Sequence, residues 1–189
     1  MKNLIKHIKS RITITKDEVN LIEKHFVYED VSAQTNLLKA GGTEGYINFL
    51  STGIVKGYQN IDGKLIVQYL VSENEFFTSL DSFMHQTPSV DNFEAITNCK
   101  LLKISKPDFD ILKQSGDFWT NYVEIVTNEH LNRKLERAKD FQILTAKERY
   151  LKFINNSPQM ALNVSIENIA SFLGMEPQSL SRIRKQITF

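Results

Sequence analysis

Apolar positions along the chain change rhythm three times, and each change marks a different kind of element. Thr15-Lys16-Asp17-Glu18 is a capping box, with Val19, Leu21, Ile22 and Phe26 following at helical offsets, so a short amphipathic helix is expected near the start. From about Tyr28 to Ile104 the apolar residues cluster in short β-type runs: Tyr46 to Leu50, Ile54 to Tyr58 and Leu65 to Val71. Gly41-Gly42, Ser51-Thr52-Gly53 and Asp62-Gly63 supply the turns, the last placed between two strands as in a hairpin. Short strands at even spacing predict a small antiparallel barrel or sandwich. Beyond Gly116 neither Pro nor Gly occurs up to Phe141, which predicts one helix roughly 40 Å long. Its apolar stripe runs through Trp119, Tyr122, Val123, Val126, Leu131, Leu135 and Ala138, interrupted at His130 and flanked by Arg133, Lys134, Arg137 and Lys139. The stripe is too irregular for a long zipper but suits a helix lying against its own domain and against a twin from a second subunit.

The third change of rhythm comes at a second capping box, Thr145-Ala146-Lys147-Glu148, whose helix continues through Tyr150, Leu151, Phe153 and Ile154 until Ser157-Pro158. Ser165 is the next expected N-cap, with Ile166, Ile169, Ala170 and Leu173 as an inward face and Gly174 where the chain must turn. Pro177 starts a further helix in which Leu180, Ile183 and Ile187 point one way and Gln178, Ser179, Arg182 and Lys185 the other. Helix, short glycine-led turn and helix with a polar outer face is the helix-turn-helix plan, although the same spacing also fits a plain helical hairpin with a solvated face.

Composition narrows the classes. With 189 residues, 41% apolar and 24% charged, the chain can bury a core, which excludes disorder and a small disulfide scaffold. A net charge of +1 says nothing about nucleic acid by itself. Local charge does: positions 142–189 hold six Lys and Arg against three Asp and Glu, a surplus of three, so the remainder carries −2. The lone Cys99 allows no internal disulfide and no cysteine metal cluster, and it is expected to fill the barrel core. No apolar run reaches bilayer length and the lysine-rich start is unlike a signal peptide, so a cytoplasmic protein without a membrane partner is expected. The four histidines share no metal spacing, and no nucleophile or base accompanies Asp81, Asp91 and Glu94, so neither a metal site nor an enzyme is expected.

DNA chemistry fits the polar helix face. A major groove admits one helix, Arg can bond guanine O6 and N7 together, and Gln can bond adenine N6 and N7. Gln178 and Arg182 are one turn apart and reach the same groove, while Ser179 and Lys185 suit phosphates.

The string from Thr145 to Tyr150, followed by Ile169 to Lys185 around Leu173-Gly174-Met175-Glu176-Pro177, resembles the C-terminal domain of Crp/Fnr-type transcriptional regulators, in particular the branch common in Bacteroidetes. The resemblance runs along nearly the whole chain. It implies an α+β chain with an N-terminal antiparallel β-roll of the cyclic-nucleotide-binding type (1–112), a long dimerisation helix (113–141) and a helix-turn-helix DNA-binding domain (142–189). It implies a homodimer on double-stranded DNA working with RNA polymerase, Gln178 and Arg182 standing at the family's base-reading positions. Only four residues follow Lys185, so the family's β-hairpin wing is expected to be missing.

Cyclic-AMP-binding members carry a phosphate cassette with a Gly-Glu pair for the ribose and an Arg-Ser pair for the phosphate. Thr78-Ser79 stands where Gly-Glu would be, and the stretch from Ser89 to Ile96 has no Arg, while Asp91 and Glu94 would repel an anion. Cyclic AMP binding is therefore not expected, and neither an iron-sulfur nor a haem cofactor has a supporting motif. Thr78, Ser79 and Ser89 remain a polar lining for another small-molecule effector, or the barrel is filled and takes none. The competing class is a small-ligand sensor or interaction module that binds no DNA.

Overall fold

A computed structural model describes residues 1–187. The expectation about the wing rests on the end of the chain and lies outside the described residues. Helix α1 (Lys2–Lys9) has no counterpart in the sequence reading: Leu4 and Ile8 are fully buried and Lys2, Lys6 and Lys9 are exposed. Met1 and Ile5 pack beside Leu4 and Ile8, so the apolar stripe recurs at helical spacing between the lysines. Helix α2 (Lys16–His25) starts at the predicted box, where Thr15 Oγ1 accepts the Glu18 amide at 3.2 Å and Glu18 Oε2 accepts the Thr15 amide at 2.6 Å.

Among the described residues eight strands follow: β1 (Val27–Val31), β2 (Asn36–Leu38), β3 (Tyr46–Thr52), β4 (Val55–Ile61), β5 (Lys64–Val71), β6 (Glu75–Phe77), β7 (Asn92–Ala95) and β8 (Cys99–Ser105), with helix α3 (Leu80–His85) between β6 and β7. They form two antiparallel sheets, ordered β1-β8-β3-β6 and β2-β7-β4-β5. Val31, Leu50, Phe77 and Leu101 from the first sheet meet Leu38, Val55, Val71 and Phe93 from the second in one core. Cys99 is in that core as expected, 2% exposed, and burial pushes its thiol pKa up. The hairpin at Asp62-Gly63 joins β4 to β5 with both residues at positive φ, 51° and 83°, the primed geometry that matches strand twist. Gly57 on β4 permits a close approach: a Cβ there would lie 2.7 Å from Phe93 and 2.8 Å from Tyr69, whose rings cross the strand.

Strand β3 is apolar on both faces because the first sheet is covered on both. Leu50 points between the sheets, while Phe49, with Leu102 and Ile104 of β8, packs outward under α1, α2, α4 (Lys106–Gln114) and α5 (Asp117–Ile143). Helix α5 (Asp117–Ile143) is the predicted long helix, two residues longer at its C-terminal end than the reading from Gly116 to Phe141. Trp119 and Tyr122 are 2% and 1% exposed against this core. His7 sits here too, its Nδ1 2.7 Å from the Tyr122 hydroxyl, with Phe49 and Phe76 edge-on.

Burial, and then the Arg11 charge, lower the His7 pKa from 6.5 to about 4. The folded imidazole is neutral, whereas the unfolded one takes up a proton below about 6.5. Its contribution to stability is therefore complete above 6.5 and is lost as pH falls toward 4. Denaturant midpoints measured across that window should fall less steeply for His7→Gln than for the wild type.

The C-terminal quarter holds α6 (Ala146–Asn156), α7 (Pro158–Asn163), α8 (Ile166–Phe172) and α9 (Pro177–Ile187). Ser157-Pro158 ends α6 as predicted but does not open a loop. Pro158 starts the short helix α7, whose first turn tolerates a residue without an amide hydrogen. Ser165 caps α8 by accepting the Asn168 amide at 3.3 Å, and Gly174 turns the chain at φ 62°. Tyr150, Phe153, Met160, Ile169, Ala170 and Leu180 form a third core, which Ile54, Val67 and Leu70 of the roll complete. The helical quarter is thus packed onto its own roll. No described helix is long and apolar enough to cross a membrane.

Candidate nucleic-acid interface

Helix α9 is anchored by Leu180, which is fully buried, and by the half-buried Ile183 and Ile187. That anchoring leaves Gln178, Ser179, Arg182 and Lys185 exposed, as their spacing requires. Gln178, Arg182 and Lys185 lie at i, i+4 and i+7 and share one face; Gln186, which the sequence reading did not single out, is also exposed. Among the described residues Arg182 makes no ion pair. Glu176, a nearby acidic candidate, lies 3.7 Å from Lys64 of the β4–β5 hairpin, with both side chains 71% exposed.

The basic surplus of this C-terminal segment is only partly available to an anion. Arg184 turns inward and donates to the Tyr150 hydroxyl at 2.9 Å and the Ala161 carbonyl at 2.8 Å, fastening α9 to α6 and α7. Arg149 donates to the Leu173 carbonyl at 3.0 Å and the Leu144 carbonyl at 2.8 Å. Lys152 pairs with Glu136 and Asp140, each at 2.7 Å, and both carboxylates raise its pKa. Charge counting could not separate these from Arg182 and Lys185, because the carbonyls and carboxylates that hold them lie on other elements.

The three polar residues placed in the roll are split by the structure. Ser79 and Ser89 are 4% exposed and meet at 2.8 Å, Ser89 donating to Ser79 and Ser79 donating to Asp91 Oδ2 at 2.8 Å. Gln59 donates to the other Asp91 oxygen at 2.8 Å. Thr78 faces away, its hydroxyl donating to the Tyr46 carbonyl at 2.9 Å. A second carboxylate, Glu44, is buried below and accepts the Tyr46 amide at 3.1 Å and the Ser79 amide at 3.5 Å. Burial raises its pKa, opposed chiefly by those backbone hydrogen bonds. The serines are thus partnered by internal carboxylate, and an incoming anion would meet Asp91 and Glu44. Glu44 carried no signal in the sequence, since only the fold brings it 35 positions along to Ser79.

Outside the serine network, a cavity of about 890 Å3 lies between the roll and α5, lined among others by Phe76, Phe77, Leu80, Trp119, Val123 and His130. Of the other histidines, His25 bonds Asp108 at 2.7 Å and His85 bonds Asp81 at 3.1 Å, while His130 stacks on Tyr69. Among the described residues no three His, Cys, Asp or Glu side chains are arranged to hold a metal.

On α5 the apolar stripe divides. Trp119 and Tyr122 serve the chain's own core, whereas Leu131 and Leu135 are 51% and 58% exposed one turn apart.

Neither a family model nor a curated protein matches the sequence. Solved structures match the fold. FixK2 from Bradyrhizobium japonicum has a TM-score of 0.75 at 16% identity, covering 86% of this chain and 84% of that one. The c-di-GMP-responsive global regulator CLP from Xanthomonas campestris has 0.70 at 15%, covering 92% of each chain. The catabolite activator protein from Thermus thermophilus has 0.58 at 14%, covering 93% of this chain and 84% of that one. The likeness takes in 86–93% of this chain, which accordingly has the α+β fold of the Crp/Fnr-type regulators.

Proposed function

We propose that the chain is a DNA-binding transcriptional regulator rather than an enzyme, acting in the cytoplasm as a homodimer joined along α5 and reading the major groove with α9. The observation that carries this reading is the exposed face of α9, where Gln178 and Arg182 stand one turn apart on a helix fixed from behind by Leu180 and Arg184. Gln178 and Arg182 read bases, and Ser179 and Lys185 hold phosphates. RNA polymerase is the partner such a regulator implies. The domain division follows: roll to 112, dimerisation helix to 141, DNA-binding domain beyond.

Selection of bound sequences from a random duplex pool, followed by binding of the selected duplex at increasing salt, tests the reading. Affinity should fall linearly on a log-log plot against salt as counterions are displaced, and Lys185→Ala should flatten the slope by about one while weakening all sequences alike. Absence of duplex binding at low salt would leave a sensor or interaction module instead.

The effector, if one acts, is not a cyclic nucleotide, because Asp91 and Glu44 surround the serine hydroxyls and amide that would receive the phosphate. Calorimetry with cyclic AMP and cyclic GMP should show no heat of binding; micromolar binding would mean that other residues replace these contacts. The cavity beside α5, apolar for the most part but lined also by Thr78, Arg11, Glu75 and Arg133, is the observation that favours a small-molecule effector of a different kind.

A further inference from the structure

We infer that Arg137 is a positioning residue for DNA reading: together with Ser171 it fixes the helix-turn-helix to the edge strand β5 and thereby sets how a dimer presents its two α9 helices. The inference rests on the DNA-binding reading above, but the contact itself is observable without DNA.

Strand β5 is the edge of its sheet, with β4 on one side only. An open edge offers unpaired amides and carbonyls. Here α8 takes that place: Ser171 Oγ accepts the Val67 amide at 2.9 Å and donates to the Leu65 carbonyl at 3.1 Å. The β4–β5 register shifts between Gly57 and Tyr58, pairing Tyr69 and Val67 with them and leaving Gln68 as a bulge. Its carbonyl accepts from Arg137 Nη1 at 2.5 Å, while Nη2 donates to the Phe172 carbonyl of α8 at 2.7 Å. One planar fork on the long helix thus holds a roll carbonyl and a helix-turn-helix carbonyl at once.

The rings around it complete the joint. The Arg137 guanidinium lies 4.0 Å from the centre of the Phe172 ring and 5.3 Å from that of Phe141, and Arg149 lies 5.2 Å from Phe141 on behalf of α6. Gly174 in the turn closes onto the same ring, since a Cβ there would come within 2.6 Å of Phe141. The carbonyls at the end of α8, which have no helical partner, are thereby taken by arginines from α5 and α6. Among the described residues Arg137 has no hydrogen bond to α9. It acts through the turn, and its effect should appear in where α9 is held and not in which bases α9 reads.

Wild type, Arg137→Met and Arg137→Lys are compared on duplexes carrying one selected half-site and on duplexes carrying two at varied separation. Hydrogen exchange of the Val67 amide is followed in the free proteins. Arg137→Met should lose at least about tenfold at the preferred separation and tolerate neighbouring separations more evenly, because simultaneous engagement depends on geometry. Its single half-site affinity should stay unchanged, and Val67 should exchange faster. Arg137→Lys, which keeps the charge but not the fork, should fall between. A separation profile as sharp as that of the wild type, or tighter binding by Arg137→Met, overturns the proposal, the latter by making the joint a brake. If Arg137→Met does not fold, Ser171→Ala removes only the hydroxyl bridge and must shift both readouts in the same direction. Wild-type protein that ignores every duplex refutes the DNA reading, whereas slow Val67 exchange in Arg137→Met refutes the joint.

Discussion

Arg182→Ala is expected to cost about 1–3 kcal/mol on the preferred duplex and to relax the choice of base at one position in each half-site. Arg182 is exposed on α9 one turn beyond Gln178, and Leu180 beneath it is fully buried, so the face it occupies is held in place. A surface arginine is often accounted for by a nearby carboxylate, an arrangement worth little. That account does not apply here, because Glu176 is turned to Lys64 and no ion pair of Arg182 exists among the described residues. The planar fork is therefore available for two bonds to one guanine edge, which Lys matches only as a point charge. Competition between the preferred duplex and single-base variants measures the effect, with Arg182→Lys keeping affinity better than selectivity. An unchanged base preference in Arg182→Ala would remove α9 from the groove.

Replacing Leu131 and Leu135 together by Asp should convert the protein to a monomer at micromolar concentration and lower affinity for a two-half-site duplex by about 10²–10⁴. The same helix buries Trp119 and Tyr122 against the roll but leaves these two leucines more than half exposed at an i, i+4 spacing. About a two-fold axis each position occurs twice, so the double substitution puts four carboxylates into one apolar seam. Neither leucine belongs to the buried cores, so folding should survive. Sedimentation with and without DNA gives the oligomeric state, and single half-site binding should persist. A double variant that still sediments as a dimer places the interface elsewhere.

Local chemistry was legible where the code is local. Both capping boxes, the Asp62-Gly63 hairpin, the long helix after Gly116 and the start of α9 at Pro177 are set by side chains acting on backbone within a few residues, and each stands where its spacing put it. Helix α7 was hidden because Ser-Pro reads equally as a stop and as a new first turn. Helix α1 did carry a local signal, since Met1, Leu4, Ile5 and Ile8 recur at helical spacing among its lysines; its charge drew attention away from that spacing.

The candidate interface divides in the same way. Helical periodicity alone put Gln178, Ser179, Arg182 and Lys185 on one side of α9 and Leu180 on the other, since that depends only on 3.6 residues per turn. Which basic residues remain for an anion was decided by tertiary contacts. Arg137, Arg149, Lys152 and Arg184 look like further surface charge in the sequence, yet each is engaged by a group distant along the chain, as far as Gln68 for Arg137. The roll shows the same limit: the missing Arg near Ser89 is visible in the sequence, but the partnering of Ser79 by Asp91 and Glu44 needs three loops and strands brought together. Short-range geometry is written in neighbouring residues; the partner of a buried charge is chosen by the fold, because only there does desolvation make an unpaired one too costly to keep.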